Sequence, residues 1–231
     1  SGQAVPLRLL EGFAGYLQTD GYDGYNAVVA TNNLIHLGCW AHGRRKFHEA
    51  VQAQGKKAKG KGSPAGAGKA QQGLAFIQKL YRIERLAEDL AADDRLALRQ
   101  EQALPILEQL RAWLDKSLPQ VPPGTATGKA LNYLHNEWGK LIVYLQDGRL
   151  RMDNNLAENA IRPFVLGRKN WMFSDSVAGV KASANLYSLI ETAKANGLEP
   201  YDYLRRVFTE LPTAQTVDAI EALLPWNGRP S

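Results

Sequence analysis

Three apolar stripes in the middle of the sequence decide most of what it can fold into. Phe76, Leu80, Ile83, Ala87 and Leu90 recur at alternating spacings of four and three. So do Ala103, Leu107, Leu110 and Leu114, and then Leu131, Leu134, Trp138, Leu141 and Leu145. Residues three and four apart share one side of a helix, so each set is the apolar face of an amphipathic helix. One such helix cannot hide its stripe from water, but three can bury theirs against one another. The pattern predicts a helical block over 70–148. Pro105 is expected to end or kink the second helix near its start, because proline lacks an N–H and crowds the preceding turn. Residues 119–124 separate the second helix from the third.

On either side of the block the texture changes. Residues 55–69 contain only Gly, Lys, Ala, Ser and Pro, which cannot bury apolar surface and predict a mobile linker. Before it, 5–13 reads as a helix end or connector, and 15–19 as a short strand closing at Asp20. Gly21 and Gly24 mark the turn that follows, 34–39 is a second strand, and 41–54 a helix. After Gly148, 150–152 reads as extended, Asp153-Asn154-Asn155 opens a helix running toward Pro163, and 171–173 is a strand or buried turn. A longer helix over 177–196 has Gly197 just past its end, and Pro200 suits the first turn of the next. A last short helix covers 217–224. The order predicts an α/β core interrupted by an all-helical insertion, with a mostly helical C-terminal part. Its expected segments are a first part of the core over 1–54, a linker over 55–69, the insertion over 70–148, a return to the core over 149–196 and C-terminal helices over 197–231.

Composition narrows the function classes. With 45% hydrophobic and 22% charged residues, the chain has the balance of a soluble globular protein. No apolar run approaches the ~18 residues of a membrane span, and residues 1–10 lack the pattern of a signal peptide. A single cysteine excludes an internal disulfide framework and points to a reducing cytosol. The net charge of +5 and pI near 9.3 are compatible with a nucleic-acid partner. Arg44, Arg45, Lys46, Lys56, Lys57, Lys59 and Lys61 are opposed over 44–61 only by Glu49. The lysines of 56–61 read as a solvated loop, whereas Arg44-Arg45-Lys46 lies on a predicted helix and suits phosphate contacts.

Two carboxylates stand at informative places. Asp20 lies where a strand gives way to a glycine-bearing turn, a position that points into the crevice beyond a strand end. Asp before Gly also occurs in turns for purely local hydrogen bonding, and that reading stays open. Asp23 is a less well placed competitor. Glu158 follows Asn155 at the spacing of a capping box, so a helix-start role explains it as well as chemistry does. Cys39-Trp40-Ala41-His42 invites a zinc reading, with His36 and His48 nearby. Closed structural zinc sites use several cysteines, so Cys39 and Trp40 are expected in the core, with His42 hydrogen-bonding at the start of the basic helix.

Taken together these motifs resemble the bacterial insertion sequence 66 transposases. The resemblance rests on residues 17–22, on Cys39-Trp40-Ala41-His42-Gly43-Arg44-Arg45-Lys46-Phe47, on 153–163 and on Gly167-Arg168-Lys169-Asn170-Trp171. It extends through 186–193 to Leu224-Pro225-Trp226. What it implies is a ribonuclease H-like core with an Asp-Asp-Glu metal triad, in which Asp20 matches the second aspartate and Glu158 the glutamate. Cys39 and His42 match a Cys-x-x-His signature that is structural rather than a metal site. The cofactor implied is Mg²⁺ or Mn²⁺, and two such ions about 3.5–4 Å apart activate the attacking oxygen and stabilise the leaving one. The partner implied is DNA, both terminal inverted repeats and target, in a bacterial cytoplasm and as an oligomer of the complete protein. Arg44, Arg45, Lys46, Arg162, Arg168 and Lys169 would contact its backbone. None of residues 1–19 is an aspartate, so the first member of the triad is missing here. The chain also begins without Met, and it reads as a fragment or a truncated copy that does not transpose DNA alone. A non-catalytic DNA-binding remnant is the competing expectation, and a helical interaction module a third.

Overall fold

The structure, a computed structural model, describes residues 4–57, 67–171 and 176–228. Helix α1 (Ala4–Leu9) leads into strand β1 (Tyr16–Gln18), helix α2 (Asn26–Thr31) and strand β2 (Ile35–Leu37). The strands are parallel, with Tyr16 opposite Ile35, Leu17 opposite His36 and Gln18 opposite Leu37. Parallel neighbours cannot be joined by a tight hairpin, so the chain crosses over through α2. Past the end of β1, Gly21 turns the backbone at φ 89°, a region that a Cβ disfavours.

Helix α3 (Trp40–Lys57) packs against both α4 (Ala67–Leu86) and α7 (Ala126–Leu141). Its Trp40, Phe47 and Ala50 are fully buried. The Trp40 indole N–H donates to the carbonyl of Leu141 at 2.9 Å, and its ring meets Trp138 edge-on. Between α4 and α7 come α5 (Ala92–Leu98) and α6 (Leu104–Ser117). Leu80, Ile83, Leu107, Leu110, Leu114, Leu131, Leu134 and Leu141 form one core with Trp40 and Phe47. The expected stripes therefore meet as anticipated, except at Leu90. Helix α4 stops at Leu86, and Leu90 lies beyond it on the surface. The break expected at Pro105 is present as a wide π turn over Arg99–Ala103, with Pro105 in the first turn of α6.

That turn aims Arg99 into the core, where it is 1% exposed. Its Nε and Nη2 donate to the Glu84 carboxylate at 2.9 and 2.6 Å. The remaining N–H groups reach the carbonyls of Tyr144 (2.9 Å), Asp147 (3.2 Å) and Leu150 (2.9 Å). One guanidinium thus holds the irregular segment 144–150 to the helices.

The C-terminal part is built from α8 (Asn155–Trp171), α9 (Val177–Ala195), α10 (Pro200–Glu210) and α11 (Val217–Glu221). Helix α8 does not end at Pro163 as the sequence predicts; it continues through the proline to Trp171. Met172 and Phe173, expected as strand or buried turn, lie outside the described residues, as does most of the expected linker. Gly197 follows α9 at φ 73°, the conformation anticipated for it, and Ser176 caps the helix start by accepting from Gly179 N at 3.1 Å. Ala193, Leu198, Tyr203, Val207 and Leu223 make a second, smaller core, where the Tyr203 hydroxyl donates to the carbonyl of Leu223 at 3.0 Å.

The chain divides into two compact units, Ser1–Asn155 and Leu156–Ser231. Among the described residues regular strand is confined to β1 and β2, so the protein is mostly helical and its α/β character resides in residues 16–37. No helix among them is long and apolar enough to cross a membrane.

Candidate functional site

The carboxyl end of β1 is anchored from several directions. Thr19 N donates to the carbonyl of Leu37 at 3.0 Å, prolonging the parallel ladder by one bond. The buried Thr19 hydroxyl lies 2.7 Å from His36 Nε2 and accepts from Gly21 N at 3.3 Å. Gln18 Nε2 donates to the carbonyls of Gly38 (3.2 Å) and Arg151 (2.9 Å). The next residue, Asp20, is exposed. Its Oδ1 accepts from Tyr22 N at 3.1 Å, so the local turn bond weighed as an alternative does form. It occupies one lone pair, and Oδ2 has no hydrogen-bond partner among the described residues. Turn-making and metal ligation are therefore compatible at Asp20. A rigidly placed, exposed carboxylate oxygen is the hard donor that Mg²⁺ takes while keeping several of its waters.

His36 carries a pH dependence. Burial, and next the Lys140 ammonium, hold its imidazole below the usual 6.5, while Glu137 acts in the opposite sense. The unfolded chain binds this proton near 6.5 and the folded chain resists it, so stability present above that pH is lost as pH falls below it. The urea midpoint is expected to drop between pH 7.5 and 5, and to drop less in His36→Gln. Equal drops in the two proteins would contradict the assignment.

The first turns of α3 carry the basic cluster. Arg44 and Arg45 are exposed and Lys46 half-buried. The Arg44 guanidinium lies 5.2 Å from the centre of the Tyr81 ring, and Lys46 Nζ 5.1 Å from that of Tyr133. These rings hold two of the three cations in place. Tyr81 in turn donates its hydroxyl to Asp153 at 2.8 Å. Burial first, and then Asp153, push its phenol well above the usual range. Cys39 is fully buried and donates its thiol to Asn154 Oδ1 at 2.8 Å. Burial raises the thiol pKa and favours the neutral donor. His42 is half-buried in the same turn, and its backbone N–H donates to the carbonyl of Cys39 at 3.2 Å.

Sequence reasoning passed over Tyr81, Tyr133 and Asp153. The available signal was that Tyr81 and Tyr133 each sit one position off an apolar stripe, beside Leu80 and Leu134. Asp153, expected only to open a helix, has its Oδ1 bonded to Asn155 N at 3.2 Å and its Oδ2 to Asn155 Nδ2 at 2.9 Å. Asn155 is already helical there, and its side chain acts as a donor.

Glu158 is half-buried in the first turn of α8, and Arg162 is exposed one turn further on. Arg168 and Lys169 fall in the same helix, but their side chains lie outside the described residues. Asp20 belongs to the first unit and Glu158 to the second.

Residues 2–182 match the model of the family described as Transposase IS66, and residues 188–226 match that of the IS66 C-terminal element. The chain belongs to the IS66 transposase family. Three similar proteins come from Sinorhizobium fredii (strain NBRC 101917 / NGR234), all named as uncharacterized. The IS66 chain is 34% identical to y4qI over 236 aligned positions, covering 99% of this chain and 42% of that protein. It is 33% identical to y4hP over 228 (96% and 41%) and 34% identical to y4jD over 227 (95% and 42%). It thus spans about two fifths of the length of these curated relatives. No solved structure matches it. The match to the C-terminal element coincides with the second core, from within α9 to Trp226.

Proposed function

We propose that this IS66 segment supplies two carboxylates, Asp20 and Glu158, to a divalent-metal centre that cuts and joins DNA strands in the bacterial cytoplasm. The reading treats β1 and β2 as part of a ribonuclease H-like core and α4 to α7 as an insertion within it. Bound Mg²⁺ or Mn²⁺ would supply activation of the attacking oxygen and stabilisation of the leaving one. The chain's own residues do the rest. In that reading Asp20 and Glu158 would be the acidic ligands that this segment lends to the metal, and Arg44, Arg45, Lys46, Arg162, Arg168 and Lys169 would grip the phosphates. That grip is independent of sequence and sensitive to salt.

The observation that carries the reading is Asp20 itself. In a member of a transposase family, it presents an unpartnered carboxylate oxygen at the carboxyl end of a parallel strand, a common place for a ligand site. The test is metal-dependent nicking of terminal-repeat DNA by a complete IS66 protein containing this segment. Nicking is expected to be lost in Asp20→Ala and in Glu158→Ala, with salt-sensitive DNA binding retained in both. Nicking that survives either change would overturn the reading. DNA binding with no metal-dependent cleavage in the unaltered protein would favour a non-catalytic DNA-binding role.

A further inference from the structure

A cleft of 260 Å³ opens in the first unit where α4 and α5 face residues 150–153, and four arginines line it. They are not equivalent. Arg99 has all its N–H groups engaged, and its charge is met by Glu84 at 2.6 Å. Arg95 is half-buried and bonded only to backbone carbonyls, those of Ala87 (3.1 Å), Glu88 (2.9 Å), Leu90 (3.2 Å) and Gly148 (3.2 Å). Those dipoles fix the guanidinium but do not cancel its charge. Arg85 and Arg151 are exposed and have no acidic partner among the described residues. Of the carboxylates in the cleft, Glu84 is committed to Arg99, and Asp153 accepts from Tyr81 and Asn155. Those two donors are neutral, so Asp153 keeps its charge, and Asp153 and Glu88 together oppose three guanidinium groups, leaving the cleft one positive charge in excess.

We propose that this cleft takes a backbone phosphate of DNA, held by Arg85 and Arg151 over the fixed charge of Arg95. The proposal rests on the DNA-binding reading above and extends it to residues that neither the sequence nor the family match singled out. Guanidinium groups present paired donors that suit the oxygens of a tetrahedral phosphate. A DNA phosphate rather than a free anion is favoured because the cleft is continuous with the basic turn of α3. Arg44 lies over the ring of Tyr81, and Tyr81 is a wall of the cleft. The opposite wall is tied to the end of β1 that leads into Asp20, through Gln18 and the carbonyl of Arg151 at 2.9 Å.

The test is DNA binding by the whole chain, followed by fluorescence anisotropy on a labelled duplex across a salt series. Each phosphate neutralised adds about 0.9 to the slope of log affinity against log salt. Arg85→Gln/Arg151→Gln is expected to lower that slope by about 0.9 and weaken binding roughly tenfold at 0.1 M salt. Arg85→Lys/Arg151→Lys keeps the charge and is expected to restore the slope. Circular dichroism of both variants checks that the fold is kept; if the glutamine pair misfolds, the single changes Arg85→Gln and Arg151→Gln decide the question, a lower slope in either being expected and an unchanged slope in both overturning the proposal. An Arg44→Gln/Arg45→Gln/Lys46→Gln variant reads the wider proposal separately. If that triple change weakens binding while the glutamine pair leaves the slope unchanged, the cleft proposal fails and the DNA-binding reading stands. If the unaltered chain does not bind DNA at low salt, both fall. Saturable inorganic phosphate binding that is lost in the glutamine pair, with the DNA slope unchanged, would assign the cleft to a free anion and also overturn the proposal.

Discussion

Replacing Arg99 by methionine is expected to destabilise the first unit by about 3–5 kcal/mol, the usual cost of breaking a buried ion pair from one side. The side chain of Glu84 is only 18% exposed, so its carboxylate would be left largely desolvated and without its partner. The carbonyls of Tyr144, Asp147 and Leu150 would lose their donor together. Each buried acceptor left unmatched costs roughly 1–3 kcal/mol, and relaxation of 144–150 would recover part of that sum. An exposed pair such as Arg111–Asp115, at 3.0 Å, is worth about 0–1 kcal/mol by comparison. Urea unfolding followed by tryptophan fluorescence reads the change, since Trp40 and Trp138 sit in or against the same core. Adding Glu84→Met to Arg99→Met should recover much of the loss, because a paired apolar replacement removes the stranded charge. An unchanged midpoint in Arg99→Met would show that 144–150 is held by other means.

In a complete IS66 protein, Asp20→Asn is expected to slow Mg²⁺-dependent nicking about a thousandfold. The change preserves shape and the bond from Tyr22 N but removes the charge that a divalent ion requires. Losing several kcal/mol of charge stabilisation in the transition state gives that factor, at about 1.4 kcal/mol per tenfold. DNA affinity should stay within about twofold, because the proposed phosphate contacts are on other residues. Asp20→Cys separates ligation from simple electrostatics. A thiolate is a poor partner for Mg²⁺ and a better one for softer ions, so Mn²⁺ should restore part of the activity of the cysteine variant and little of that of the asparagine variant. If Asp20→Asn nicks at the original rate, Asp20 is a turn residue only.

What could be read from the sequence was whatever obeys a period. The three stripes, the two short strands, the basic helix and the Gly197 stop all follow from local spacing or backbone preference, and apart from Leu90 they stand where expected. Helix α8 ran past Pro163 because a single missing N–H is a finite cost that a surrounding helix can absorb. Arg99 was legible in principle. It lies four residues before Ala103, in register with the second stripe, and an arginine in an apolar stripe signals a buried guanidinium. The Arg85/Arg151 cleft was not legible, since its walls are 66 positions apart and no local rule joins them. The same holds for Asp20, whose value depends on which oxygen its turn leaves open. The resemblance named the residue, and the geometry describes its bonding.

The sparse strand pair also sets an order of events in synthesis. Two parallel strands of three residues each cannot persist by themselves. Their supports come from far along the chain. Gln18 reaches Arg151 across 133 positions, and Trp40 reaches Leu141 across 101. Helices draw on near neighbours and form early, whereas such distant contacts form late. At about 5–20 residues per second, a ribosome needs roughly 7–27 s to travel from Gln18 to Arg151. Through that interval β1 has β2 beside it but lacks its bond to Arg151. The turn at Asp20 is therefore fixed long after it is made, and a nascent chain halted short of residue 151 would have α1 to α7 in place while β1 still lacked that anchor.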